Sequence, residues 1–136
     1  MCLYTKQRKL KKADRDIYAY KVVICVGGYY HTPFYVTPIS KHAINGETPF
    51  KAEGNIRKER GIHRGETKIT CRLIHVFGSA ECAIEVAKCF MEAYCWHCEV
   101  YEVKIPKGTL YYDGFTISSS AAKASKKIQF VKRLDS

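Results

Sequence analysis

Apolar and polar positions along the chain fall into two rhythms. From Ile17 to Val26 the order Ile-Tyr-Ala-Tyr-Lys-Val-Val-Ile-Cys-Val is rich in β-branched and aromatic residues, the composition of a strand. Its second half is almost wholly apolar, which predicts a strand buried on both faces, with Tyr18, Tyr20, Val22, Ile24 and Val26 on one of them. Ile69 to Phe77 alternates as a second strand, and Glu99 to Ile105 as a third, with Tyr101, Val103 and Ile105 on one face. Lys127 to Leu134 gives a final strand in which Ile128, Phe130 and Lys132 share a side. Between Phe77 and Glu99 the period changes. Glu81, Glu85, Lys88 and Glu92 recur at helical spacing opposite Ala83, Val86, Ala87, Phe90 and Tyr94, which predicts an amphipathic helix over 80–94. Ser79 stands where an N-cap is needed, and Glu81 complements the positive end of the helix dipole.

The stretches between these elements carry turn chemistry. Gly27-Gly28 ends the first strand. Tyr29 to Phe50 contains Pro33, Pro38 and Pro49 with Asn45-Gly46, so it holds only short extended pieces and no long helix. It is aromatic nonetheless, through Tyr29, Tyr30, Phe34 and Tyr35, and either plugs the end of a sheet or lines a pocket. Asn55 to Lys68 loses its apolar character and reads as an exposed loop or hairpin tip. Pro106-Lys107-Gly108 forms a turn, Thr109 to Tyr112 a short extended piece, Asp113-Gly114 a further turn, and Ser118 to Lys127 a loop or one helical turn. Strands outnumber helices and are joined mostly by turns. The expected fold is therefore a single-domain α+β class, a mixed or mainly antiparallel curved sheet packed by one principal helix at about 80–94.

Charge changes the picture more than composition does. Hydrophobic residues make up 46% and charged residues 26%, an ordinary globular balance, but the formal net charge is +10 and the pI about 9.3. Such a field attracts nucleic acid, nucleotides or other polyanions. Lys6, Arg8, Lys9, Lys11, Lys12 and Arg15 stand in a segment with few apolar partners. Residues 1–16 are thus expected to form a basic N-terminal arm, mobile unless Leu3 and Tyr4 are tied onto the body, with the α+β domain spanning 17–136. No apolar run reaches the ~18 residues of a spanning helix, and no apolar h-region follows the N-terminal charges. A cytoplasmic chain without a membrane partner is expected, its seven cysteines, odd in number and irregularly spaced, held as reduced thiols.

Three constellations could carry chemistry. Cys95-Trp96-His97-Cys98 follows the helix and enters a strand. The negative end of the dipole disfavours a thiolate, so thioredoxin-type catalysis is not expected there. A zinc site would need two further ligands from Cys71, His75 or Cys89, and the chain has no second Cys-x-x-Cys pair. Cys95 and Cys98 are accordingly expected to be core thiols. His31 lies in Tyr29-Tyr30-His31-Thr32, which resembles the Tyr-His-Gly-Thr strand of diphtheria-toxin-type ADP-ribosyltransferases, with Thr32 in place of the glycine. That resemblance implies an NAD-using enzyme completed by a late-strand Glu, Glu99 or Glu102. The third constellation is basic: Arg57, Lys58, Arg60, His63 and Arg64, with the glycine N–H groups of the same loop, could converge on phosphates.

A wider resemblance spans nearly the whole chain. Met1 to Lys6 (Met-Cys-Leu-Tyr-Thr-Lys), Asp16-Ile17, Tyr20-Lys21-Val22, Tyr30-His31-Thr32-Pro33-Phe34, Ile74-His75-Val76-Phe77 and the run Ile105-Pro106-Lys107-Gly108-Thr109-Leu110-Tyr111-Tyr112-Asp113-Gly114 carry it. Together they are similar to a group of small uncharacterised proteins encoded by gut bacteria and their phages. The most specific part is I-P-K-G-T-x-Y-Y-x-G; members often carry Gly-Phe-His where this chain has Leu73-Ile74-His75. The resemblance implies one compact domain and a phage or mobile-element origin, and supplies no catalytic residue.

The reading that joins these observations is a non-enzymatic binding module for an anionic ligand, a nucleic acid or a small nucleotide. For a phage-encoded chain it would act in host takeover or counter-defence. The candidate ligand-binding residues are Tyr29, Tyr30, His31, Arg57, Lys58, Arg60, His63, Arg64 and His75, with the arm from Lys6 to Arg15 adding charge and Tyr29, Tyr30 or Trp96 stacking on a base. No catalytic residue, metal or cofactor is assigned, and a homo-oligomer is compatible with this reading. The alternatives are the ADP-ribosyltransferase-like enzyme and a protein-interaction module whose basic surface meets an acidic host protein.

Overall fold

The computed structural model of the chain describes residues 3–33, 37–52, 58–61, 64–69 and 73–134. In chain order the elements are β1 (Leu3–Thr5), β2 (Lys11–Lys12), β3 (Ile17–Val26), β4 (Tyr29–His31), β5 (Pro38–Ile39), α1 (Lys41–Ile44), β6 (Phe50–Lys51) and β7 (Lys58–Arg60). They continue as β8 (Thr67–Ile69), β9 (Ile74–Phe77), α2 (Ala80–Tyr94), β10 (Cys98–Ile105), β11 (Leu110–Phe115), β12 (Ala121–Ser125) and β13 (Lys127–Arg133). The strands join in the order β6-β13-β10-β3-β9-β12-β11-β1-β8-β7, with β4 and β5 branching from β3 and β2 lying on β11. All pairings among the described residues are antiparallel. Among the described residues the result is an open, mostly antiparallel sheet with two helices, in broad agreement with the α+β expectation. Among the described residues no helix is long and apolar enough to cross a membrane.

Two faces of this sheet follow from strand alternation. On β3 and β10, Val22, Ile24, Cys98 and Val100 look toward α2 and pack with Phe77, Ala83, Ala87 and Phe90. Ala19, Val23, Tyr101, Val103 and Ile105 look the other way and pack with Ile74, Val76, Ile128 and Phe130 beneath α1. Val23, Val103 and Ile105 are wholly buried, and each such side chain contributes roughly 1.5–3 kcal/mol through burial. A third cluster, Leu3, Ile69, Leu73, Tyr112, Ala122 and Ala124, lies beneath the β1 wing.

The expected helix forms over its whole predicted length. Ser79 Oγ accepts from the N–H of Cys82 at 3.2 Å and satisfies a first-turn donor. Ser79→Ala should therefore lower stability by about 1 kcal/mol, read as a lower urea midpoint with unchanged m-value. At the other end Cys95 adopts φ 57°, the left-handed C-cap geometry, and its N–H returns to the Met91 carbonyl. Asn45-Gly46 also stops a helix, the single turn α1, and does not close a hairpin.

The structure corrects three local expectations and meets the condition attached to a fourth. Ile69 to Phe77 is not one strand: β8 pairs with β1 and β7, whereas β9 pairs with β12 and β3. Asp113-Gly114 is not a turn but lies inside β11, because the Asp113 carbonyl accepts from Thr5 Oγ1 at 2.5 Å and its N–H donates to Gln7 Oε1 at 3.0 Å. Ala121 to Ser125 is a strand despite an Ala-Ala-Lys-Ala-Ser composition that disfavours one, since Ala122 and Ala124 are small enough to pack against Tyr112 and Leu3. The fourth concerns the N-terminal arm, of which Leu3–Thr5 and Lys11–Lys12 are strands of the sheet. Leu3 is fully buried and β1 is hydrogen-bonded between β11 and β8, which meets the condition under which the arm is held.

The I-P-K-G-T-x-Y-Y-x-G run has a structural account at nearly every position. Ile105 is fully buried; the Lys107 N–H donates to Asp16 Oδ1; Gly108 adopts φ +88° and donates to the Ala13 carbonyl. Tyr111 and Tyr112 enter clusters on opposite faces of the sheet. Gly114 passes so close to β1 that a Cβ there would overlap the Tyr4 carbonyl.

Candidate functional site

Where β1 ends, its pairing with β11 is continued by a side chain. Gln7 donates through Nε2 to the carbonyls of Tyr111 at 3.0 Å and Lys9 at 2.6 Å, while its Oε1 accepts from the Asp113 N–H. Thr5 Oγ1 reaches the Asp113 carbonyl and accepts from the Gln7 N–H. A few residues on, β2 pairs Lys11 with Tyr111 and Lys12 with Leu110. Lys58 fastens the same segment from outside, donating to the Arg8 carbonyl at 3.3 Å with its ammonium 5.5 Å from the Tyr112 ring centre. The segment's lysines are thus carried on a held backbone.

These fastenings frame a groove of about 700 Å³ whose lining includes Tyr4, Lys6, Gln7, Lys11, Glu66, Asp113, Phe115 and Lys123. Phe115 keeps 55% of its surface exposed, while Tyr4, its register partner on β1, is buried. Lys123 Nζ lies 2.9 Å from Asp113 Oδ1, so that carboxylate is already neutralised. Lys6 and Lys11 are exposed and outnumber the remaining acidic side chain, Glu66. Asp113, Phe115 and Lys123 share the sheet face of Val76, the face away from α2. Across the sheet, the outward residues of α2, Glu81, Glu85, Lys88 and Glu92, carry three carboxylates to one ammonium.

The residues singled out from sequence do not form one site. Tyr29 is 79% exposed at the β3–β4 hairpin tip, whereas Tyr30 packs inward and hydrogen-bonds Tyr101. His31 Nδ1 sits 2.9 Å from the Thr32 carbonyl. Lys58 is engaged as described, Arg60 and Arg64 are exposed near the β7–β8 edge, and His75 is half-buried on β9. Arg57 and His63 lie outside the described residues, as do Phe34, Tyr35 and Cys71. β3, which carries the Tyr29–His31 hairpin, is six inter-strand steps from β7, roughly 29 Å along the sheet.

His31 does not meet a late-strand Glu either. It pairs with Ile24 on the α2 face, whereas Glu99 faces the other way and accepts from the Tyr101 hydroxyl at 2.8 Å. Glu102 shares the α2 face but pairs with Tyr20, four residues along β3 from Ile24, or about 13 Å.

Other titratable groups sit within the packing. Glu99 lies 3.6 Å from His97 Nε2 and 3.7 Å from Arg133 Nη1. Burial, then the hydrogen bond and charge of Glu99, and then Tyr30 raise the Tyr101 phenol well above its usual range. Lys21 is buried opposite Tyr101, donates to the His75 carbonyl at 2.9 Å, and is pushed down to about 8 by burial. Burial raises the Cys98 thiol, whereas Cys95 is exposed, which corrects the expectation of two core thiols. Among the described residues no three His, Cys, Asp or Glu side chains gather as a metal-ligand set.

The turn expected at Asp113-Gly114 conceals Phe115 and Asp113, and the loop or helical turn expected over Ser118 to Lys127 conceals Lys123. Tyr111, Asp113 and Phe115 do continue a two-residue alternation through that dipeptide, and this was the signal available. Compared with family models, curated proteins and solved structures, the chain matches none.

Proposed function

We propose that this chain is a non-enzymatic binding module for an anionic ligand, a nucleic acid or a small nucleotide, and that the groove between β1, β11 and β12 receives it. The observation that carries this reading is that Lys6 and Lys11, exposed and unpaired among the described residues, line one groove together with the exposed ring of Phe115, while Lys123 offsets the Asp113 carboxylate there. The net charge of +10 draws a polyanion toward the molecule, and the acidic outer face of α2 disfavours approach from the other side. For a phage-encoded chain, the origin that the resemblance to proteins of gut bacteria and their phages implies, such a module would act in host takeover or counter-defence.

Lysine contacts to phosphates release counterions, so binding must weaken with salt. Two phosphate contacts, on Lys6 and Lys11, give a log–log slope of about −1.4 to −1.8, a loss of roughly 7- to 12-fold between ~50 and ~200 mM salt. Fluorescence anisotropy with labelled single strands, duplexes and nucleotides measures it. The double change Lys6→Gln with Lys11→Gln should make the slope shallower by about 1.5 without altering the circular dichroism spectrum, since both side chains are exposed. No binding of any of these ligands at low salt overturns the proposal.

A further inference from the structure

We infer that the groove takes an unpaired nucleic-acid strand, with one unstacked base lying on Phe115 and the flanking phosphates on Lys6 and Lys11. This rests on the anionic-ligand reading and narrows it. Lysines alone would serve a duplex, a single strand or a free nucleotide equally well. Phe115 separates them. It is the fifth residue after Leu110 on a strand whose neighbouring aromatics, Tyr111 and Tyr112, are both buried, yet it stands 55% exposed beside the lysines. An exposed ring on a sheet, flanked by cations, matches the chemistry of an unstacked base, which offers a π-face whatever its identity. A duplex keeps its bases stacked inside and could touch only the lysines.

The surroundings favour a strand over a mononucleotide. A space of about 700 Å³ is in the range that holds a drug-sized ligand, room for a base with its sugar and the phosphates on either side. Lys6 and Lys11 come from opposite ends of the Gln7-fastened segment, so they offer two separate phosphate contacts. The other exposed rings are worse placed: Tyr18 and Tyr29 lie outside the groove's lining, and Tyr94 stacks on the half-buried Trp96 at 4.5 Å between centroids, at the end of a helix whose outer face is acidic.

Anisotropy of the full chain tests this at low salt with three probes. They are a labelled single strand of roughly ten nucleotides, within the site size of ordinary single-strand binding folds, the matching duplex, and a mononucleotide. The single strand should bind most tightly. Phe115→Ala should weaken it by roughly 5- to 150-fold, which is a stacking contribution of about 1–3 kcal/mol converted at 1.4 kcal/mol per tenfold. The duplex should be unaffected by that change. Phe115→Trp should restore single-strand affinity, Phe115→Leu should not, and Tyr94→Ala should leave it unchanged. Equal affinity for strand and duplex, or a Phe115→Ala variant that binds the strand as the parent does, overturns the inference while leaving the anionic-ligand reading in place. A mononucleotide bound as tightly as the strand also overturns it. Absence of binding by all three probes removes the underlying reading as well.

Discussion

Gly114→Ala is expected to lose roughly 3 kcal/mol of stability, at the upper end of what overpacking costs. A Cβ at this position would overlap the Tyr4 carbonyl oxygen and come within 3.1 Å of Thr5 Cβ, and backbone cannot rotate away as a flexible side chain can. β1 and β11 would have to part, breaking the Tyr4–Phe115 register and exposing Leu3 and Tyr112. Against a total of about 5–15 kcal/mol in an ordinary domain, such a loss is large. Urea unfolding followed by circular dichroism measures it. A midpoint shift equivalent to less than about 0.5 kcal/mol, the range of a neutral surface change, would show that β1 does not press on β11 as described. The same variant should lose ligand affinity, because Lys6 and the Gln7 clamp ride on β1.

Lys21→Met is expected to stabilise the protein by about 2 kcal/mol near pH 7. Burial lowers the Lys21 ammonium from 10.5 to about 8, which corresponds to roughly 3 kcal/mol of cost while the lysine is charged. Methionine removes that cost but leaves the His75 carbonyl without its donor, an offset of about 1 kcal/mol. The sign with pH follows from proton counting. Between about 8 and 10.5 the unfolded chain holds a proton on Lys21 that the folded chain has released, so stability rises with pH through this window. Below 8 both states are charged and the cost is fully present. Cys98 and Tyr101 act oppositely, since their raised values mean the unfolded chain ionises first and stability falls as pH climbs past 9 and 10 respectively. Those two contributions are common to parent and variant. The advantage of the variant should therefore fall by roughly 3 kcal/mol from pH 7.5 to 10.5, so that the parent becomes the more stable by about 1 kcal/mol, measured by urea unfolding in matched buffers. A constant difference across that range would mean that Lys21 is solvated.

Legibility from sequence varied with the length and purity of the pattern. β3, α2, β10 and β13 emerged close to their observed bounds because each sustains one period over seven or more residues. β12 did not, since alanines and serine carry no strand preference of their own and become a strand only between β9 and β11. The site was half legible. Lys6 and Lys11 stood out as charge, but the aromatic partners assigned to them, Tyr29 and Tyr30, belong to a hairpin several strands away. Phe115, which does share their groove, was concealed by an Asp-Gly pair that usually turns and here does not, because Thr5 and Gln7 hold it extended.

By itself the sequence determined the α+β character, the amphipathic helix with its Ser79 cap, the alternating faces within β3 and β10, and the excess of positive charge. All of these rest on interactions between near neighbours in the chain or on simple counting. Tertiary structure alone decided that Leu3–Thr5 lies between β11 and β8, that Lys21 is buried, that Gly114 must lack a side chain, and that Lys6, Lys11, Lys123 and Phe115 face one groove. Each depends on contacts between residues about a hundred positions apart, or on which strand neighbours which, and no local period encodes that.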